Sequence, residues 1–141
     1  MSVLNRIFGF AVLVSINLAA AGGNAPLTLE NQHLAISFSS QTGGIVSIAD
    51  PETHHEFVSQ PSAEPLSWRL VLKNRSGKEV TLENAQAAPP QIETETDSLT
   101  VKWTGFDLAD QQDVLDIRME CLLEPDSDTA YLRFWVDNRS H

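Results

Sequence analysis

The sequence predicts an all-β protein: an antiparallel β-sandwich behind an export leader. Three observations predict it. Residues 113–138 alternate apolar and polar side chains on both sides of the turn Pro125-Asp126-Ser127-Asp128. Period-two alternation marks strands with one buried face. Turn-forming Gly, Pro, Asn and Asp recur at short intervals through the rest of the chain, as between short strands. No stretch past Pro26 carries a convincing helical period.

The leader comes first. Arg6 is the only charge among the first 29 residues, the run from Ile7 to Ile16 is almost wholly apolar, and Ala19-Ala20-Ala21 follows. A basic start, an apolar centre and an A-x-A site describe a secretory signal peptide, with cleavage after Ala21. Cleavage after Ala25 fits less well, because Pro26 would follow. The apolar run is shorter than the roughly 20 residues of a membrane span, which disfavours an anchor. The expected division is therefore 1–21 signal peptide and 22–141 β-domain, secreted or periplasmic.

Without the leader, eight basic and 19 acidic residues remain, a net charge of −11. Such a surface repels phosphate backbones and anionic lipid, which argues against nucleic acid and membrane as partners. The single cysteine, Cys121, has no internal disulfide partner and sits on an apolar row, where it reads as a small buried hydrophobe. A domain of 120 residues can supply the core that the absence of disulfides demands.

Taken in order, Leu27 to Glu30 reads as a first strand and His33 to Phe38 as a second, with Leu34, Ile36 and Phe38 on one face. Ser39 to Gly44 is a turn of small residues, and Ile45 to Ile48 returns. Asp50 to Pro65 holds three prolines and reads as loop, with a short strand at Phe57-Val58. Leu66 to Lys73 puts Leu66, Trp68, Leu70 and Leu72 inward, and Glu79 to Leu82 pairs back after a turn at Arg75-Ser76-Gly77-Lys78. Asn84 to Pro90 is a linker. Gln91 to Thr96, rich in Thr and Glu, suits a charged edge strand. Leu99, Val101 and Trp103 then point inward, and Phe106 to Gln112 reads as a connector with one helical turn. About nine strands result.

The closing hairpin has a derivable register. A loop from Pro125 to Asp128 sets Glu124 opposite Thr129. Cys121 then faces Leu132, Met119 faces Phe134 and Ile117 faces Val136, an apolar row expected to be buried. On the other face Leu122 meets Tyr131, Glu120 meets Arg133, and Arg118 meets Trp135 as a cation–π pair. A terminal strand this long is expected to have neighbours on both sides, so the chain reads as the first part of a larger protein with a missing downstream domain; the alternative is a complete small sandwich.

Several residues carry a family likeness: Asn31-x-x-Leu34-x-Ile36-x-Phe38, then Thr42-Gly43-Gly44-Ile45-x-x-Ile48, then Asp50 and Glu56-Phe57. This run resembles the opening of the galactose-mutarotase-like β-sandwich at the N-terminus of large secreted glycoside hydrolases. The resemblance covers most of 27–138 and implies part of a larger supersandwich, with Trp68 on the strand after the loop. It also implies a domain that supports or shapes a carbohydrate site while catalytic acids lie in a following domain. No catalytic residue carries over onto this chain.

The residues themselves agree on the absence of a reaction motif. His54, His55 and Glu56 are adjacent on extended chain and diverge, whereas a zinc site needs convergent ligands; no metal and no cofactor are expected. Glu93 and Glu95 read as edge charges, and Arg133 would hold Glu120 ionised, unsuited to general-acid work. The outer face of the closing hairpin is the better candidate. Arg118, Glu120, Tyr131, Arg133 and Trp135 gather aromatic faces and charged hydrogen-bonding groups, the types that bind sugars. The competing interpretation is an immunoglobulin-like structural or interaction sandwich in which that face is covered by protein. Asn74-Arg75-Ser76 and Asn138-Arg139-Ser140 are sequons for N-glycosylation in a eukaryotic host.

Overall fold

The computed structural model describes residues 25–59, 67–73, 77–108 and 111–139. The expected leader lies outside them, as do Leu66, the first sequon and Ser140 of the second. Among the described residues, strands β1 (Leu27–Glu30), β2 (Ala35–Phe38), β3 (Ile45–Asp50) and β4 (His55–Ser59) form one antiparallel meander. Strands β7 (Gln91–Thr94), β8 (Ser98–Leu108), β9 (Gln111–Leu123) and β10 (Ala130–Asn138) form a second sheet in the order β10-β9-β8-β7. Strands β5 (Arg69–Lys73) and β6 (Glu79–Glu83) make a two-stranded ribbon. Among the described residues the architecture is all-β and every strand pairing is antiparallel.

One core joins the three pieces. Leu29, Ile36 and Phe38 of the first sheet meet Leu99, Val101, Trp103, Phe106, Leu115, Ile117, Met119, Cys121 and Leu123 of the second. Trp68, just before β5, with Leu70, Leu72 and Leu82 of the ribbon, packs against this cluster. The Trp68 ring lies edge-on to Trp103 at 5.5 Å and to Phe106 at 5.6 Å between centroids, a favoured aromatic geometry. Every inward residue of β9 is buried because β8 flanks it in the sheet and the core lies beneath it.

Polar bonds fix the turns to this core. The Asn31 carboxamide accepts the N–H groups of His33 and Leu34 (both 2.8 Å), closing the β1–β2 turn. Its amide donates to the carbonyls of Glu124 (2.6 Å) and Ser127 (2.8 Å), so one side chain pins that turn to the β9–β10 loop. Asn84 is buried; it accepts the Ser67 N–H (2.9 Å) and donates to the Thr42 carbonyl (3.4 Å). The same carbonyl accepts the Trp103 indole N–H at 2.8 Å. Gly43 beside it has φ +69°, and a Cβ there would stand 2.5 Å from Val101 Cγ1 and 2.8 Å from the Trp103 ring. The Thr-Gly-Gly turn is thus a docking point on β8, where only glycine fits.

The structure corrects four expectations. The connector expected over Phe106–Gln112 is strand at every described residue, since β8 runs to Leu108 and β9 starts at Gln111, with 109–110 outside the described residues. Gly105 (φ +79°) sits in a bulge that lets Trp103 pair with Ile117 and Phe106 with Leu115, so both aromatics face inward despite an odd spacing. Asn84–Gln86 is a 3-10 turn, closed by the Glu83 N–H donating to Gln86 Oε1 (3.1 Å). Ten strands are described against the nine expected, and the short strand at Phe57-Val58 extends over all of β4. The fourth correction concerns β10. Its register is as derived, but Leu132, Phe134 and Val136 are 42%, 43% and 49% exposed. β10 is the outermost strand, and none of the three belongs to the core.

Candidate functional site

The outer face of the second sheet is built from β8, β9 and β10, whose alternation points every second side chain away from the core. Successive rungs read Lys102–Arg118–Trp135 and Thr100–Glu120–Arg133, while Asp116 stands opposite Asp137. All five expected site residues lie on this face. Arg118 places its guanidinium 4.0 Å from the centre of the Trp135 ring, within cation–π range. Glu120 and Arg133 form an ion pair of 3.7 Å whose side chains are 33% and 59% exposed, so it is worth little to stability. Tyr131 stands opposite Leu122. Trp135 and Tyr131 are both substantially exposed.

The structure divides those five residues. An open cleft of about 210 Å³ is lined by Lys102, Asp116, Arg118, Trp135 and Asp137. Arg118 and Trp135 belong to it; Glu120, Arg133 and Tyr131 lie further along the hairpin. Tyr131 is four residues from Trp135, roughly 13 Å along a strand. The cleft is below the roughly 300–1,000 Å³ of sites for drug-sized ligands and suits one small ring.

Lys102, Asp116, Asp137 and Arg139 are functional candidates that the sequence reading missed. Asp116 and Asp137 stand directly opposite each other, a like-charge pair that needs a counter-ion. Arg139 supplies it: its Nη1 donates to Asp116 and Asp137 at 3.0 Å each, and its Nη2 donates to Asp116 Oδ1 at 3.3 Å. Lys102 approaches Asp116 at 4.0 Å. The Arg139 hydrogen bonds hold the Asp116 carboxyl below its ordinary value of 3.8; burial opposes this, and the Gly105 N–H (3.2 Å) adds to it. A signal was available in the sequence. Extending the derived register by one pair sets Asp116 opposite Asp137, and Arg139 follows Asp137 on the same side.

Chemically this face is mixed. It offers an aromatic face, cationic donors from Lys102 and Arg118, and carboxylate acceptors. Glycoside hydrolysis needs one carboxyl kept protonated as a general acid. Asp116 is driven the other way, and Arg139 bridges both aspartates. Around the His54-His55-Glu56 stretch the side chains diverge. His54 adopts φ +57°, His55 lies edge-on to Phe57 at 4.9 Å, and Glu56 accepts the Ser47 hydroxyl at 3.0 Å and the Ile48 N–H at 3.1 Å. Among the described residues no three His, Cys, Asp or Glu side chains converge. Burial pushes the Cys121 thiol up to about 11, which keeps it a protonated, unreactive core group.

Compared with known proteins, the chain matches no family model, and no curated protein matches it.

Proposed function

We propose that this protein is a secreted or periplasmic carbohydrate-associated β-sandwich module, non-catalytic by itself, whose sugar platform is the outer face of β9 and β10. The observation that carries the reading is the open face around Trp135. Its indole stands beside a small cleft ringed by Lys102, Arg118, Asp116 and Asp137. An apolar ring face against C–H surface, with charged donors and acceptors at its margin, is the chemistry a sugar ring requires. Tyr131, further along the same face, offers a second platform to an extended glycan. The leader-like N-terminus supports export. The Thr42-Gly43-Gly44 hairpin supports the likeness to the galactose-mutarotase-like domains of glycoside hydrolases, with catalysis residing in a further domain.

Affinity electrophoresis in gels containing polysaccharides tests this. The chain is expected to be retarded by at least one polysaccharide, and Trp135→Ala to migrate as in the blank gel while keeping its thermal transition. Loss of a stacking aromatic typically removes ~10-fold or more in affinity, about 1.4 kcal/mol. A folded chain that no polysaccharide retards would leave the reading without its ligand. The second reading, an interaction module without a sugar, draws on a separate observation: the exposed inner row of β10.

A further inference from the structure

The open edge of β10 presents backbone and apolar side chains together. At the two ends of the strand, Glu124 N–H donates to the Thr129 carbonyl (3.4 Å) and Arg139 N–H donates to the Val114 carbonyl (2.7 Å). The register between these bonds is unbroken. Bonded pairs alternate along an antiparallel ladder, so residues 131, 133, 135 and 137 turn their backbone groups toward β9. Leu132, Phe134 and Val136 therefore turn their N–H and C=O groups to the open edge. These are the residues whose side chains form the exposed apolar row. The β9–β10 pairing has no bulge, and β10 contains no proline and no lysine, so three common guards of a sheet edge are missing; its charges, Arg133 and Asp137, lie on the outer face.

We propose that β10 pairs antiparallel with β10 of a second copy, about a two-fold axis at Phe134. This inference does not rest on the sugar reading, but it draws on the same outer-face side chains, Tyr131, Trp135 and Asp137, at the rim of that platform. A two-fold perpendicular to the sheet keeps inner faces together, and the strand Tyr131-Leu132-Arg133-Phe134-Trp135-Val136-Asp137 is complementary to itself in that arrangement. Phe134 meets the partner's Phe134, and Leu132 meets the partner's Val136, three apolar rungs in all. On the outer face Arg133 meets the partner's Trp135, a cation–π pair, and Tyr131 meets the partner's Asp137, a hydroxyl opposite a carboxylate. Moving the axis to Arg133 would set two arginines opposite each other. Moving it to Trp135 would set Leu132 against the partner's Asn138. The pairing closes at two copies, because the far edge of the sheet is β7, a four-residue strand preceded by Pro89-Pro90 and carrying Glu93.

One strand pair is small beside the roughly 1,200–2,000 Å² of stable interfaces, so the dimer is a weak one. The chain carries a net charge of −10, so added salt strengthens it by screening repulsion between copies. Sedimentation of the full chain from about 1 μM to 1 mM tests the proposal. The mass is expected to climb from one chain to two. Val136→Pro removes an outward N–H and no bond to β9, and Phe134→Lys puts a charge on the axis; both are expected to stay at one chain and keep a cooperative melt. The apolar N-terminal run is the same in all three, so association through it would not distinguish them. With Cys121 buried, Phe134→Cys supplies the reactive thiol and is expected to cross-link to a dimer on mild oxidation. A wild type that stays at one chain throughout, a mass that climbs past two, or variants that associate as the wild type does would overturn the proposal.

Discussion

Strands β9 and β10 carry the same apolar alternation and lie in unbroken register, yet they live in different surroundings. Leu115, Met119 and Cys121 on the inner face of β9 are 0% exposed. Leu132 and Phe134, directly opposite Cys121 and Met119, are almost half open. The pattern that specifies a strand face is therefore separable from the neighbours that bury it. β9 has β8 on one side and the core beneath it; β10 has β9 on one side and an open edge on the other. The same side-chain type is fully packed in one strand and stands half open in the other.

Substitutions across one rung sharpen the contrast. Met119→Ala empties a fully enclosed site and is expected to cost about 2–5 kcal/mol in urea unfolding. A loss under about 1 kcal/mol would mean that the core over β9 is loose. Gly43→Ala probes the same core from above. The new Cβ meets Val101 and Trp103 at a left-handed φ, so overpacking and backbone strain add, for a loss of roughly 2–4 kcal/mol. A neutral Gly43→Ala would show that the turn does not rest on β8.

Across the rung from Met119, Phe134→Ala removes a half-exposed ring and is expected to cost under about 1 kcal/mol in dilute solution. Full burial, which the alternation predicts, would raise this to about 3–5 kcal/mol. Alternation reports which face a side chain occupies, and on that the hairpin was legible from its turn out to Ile117 with Val136, including Arg118 with Trp135. It does not report whether another layer covers that face. The irregular parts were opaque for a different reason. Gly105 breaks the period between Trp103 and Phe106, so a bulge resembled a connector. Asn84 looked like linker because the Ser67 and Thr42 groups that satisfy it are distant in sequence. At the candidate site, the aromatic and charged types were visible on the hairpin, but Lys102 arrives from β8. Arg139 was hidden because it lies one residue past the end of β10, beyond the alternating run, and reaches Asp116 across the sheet only in the folded chain.

The outer face of the same hairpin gives the smallest effect, through pH. The Asp116 carboxyl is lowered from 3.8 by its Arg139 hydrogen bonds. A depressed folded-state value means that the unfolded chain takes up the proton first as pH falls. The stability this supplies is whole above the ordinary aspartate range and is lost as pH drops through the lowered folded value. The urea midpoint of the wild type is therefore expected to fall on acidification below about pH 4. Asp116→Asn should flatten part of that slope while lowering the neutral-pH midpoint. Arg139→Gln should reproduce the flattening, since it removes the cause while leaving the carboxylate in place. Phe134→Ala, on the inner face of the same strand, should leave the slope as it is. If instead Asp116→Asn and the wild type fall in parallel, the Arg139 bridge does not persist in solution, and the cleft beside Trp135 loses the counter-ion that shapes it.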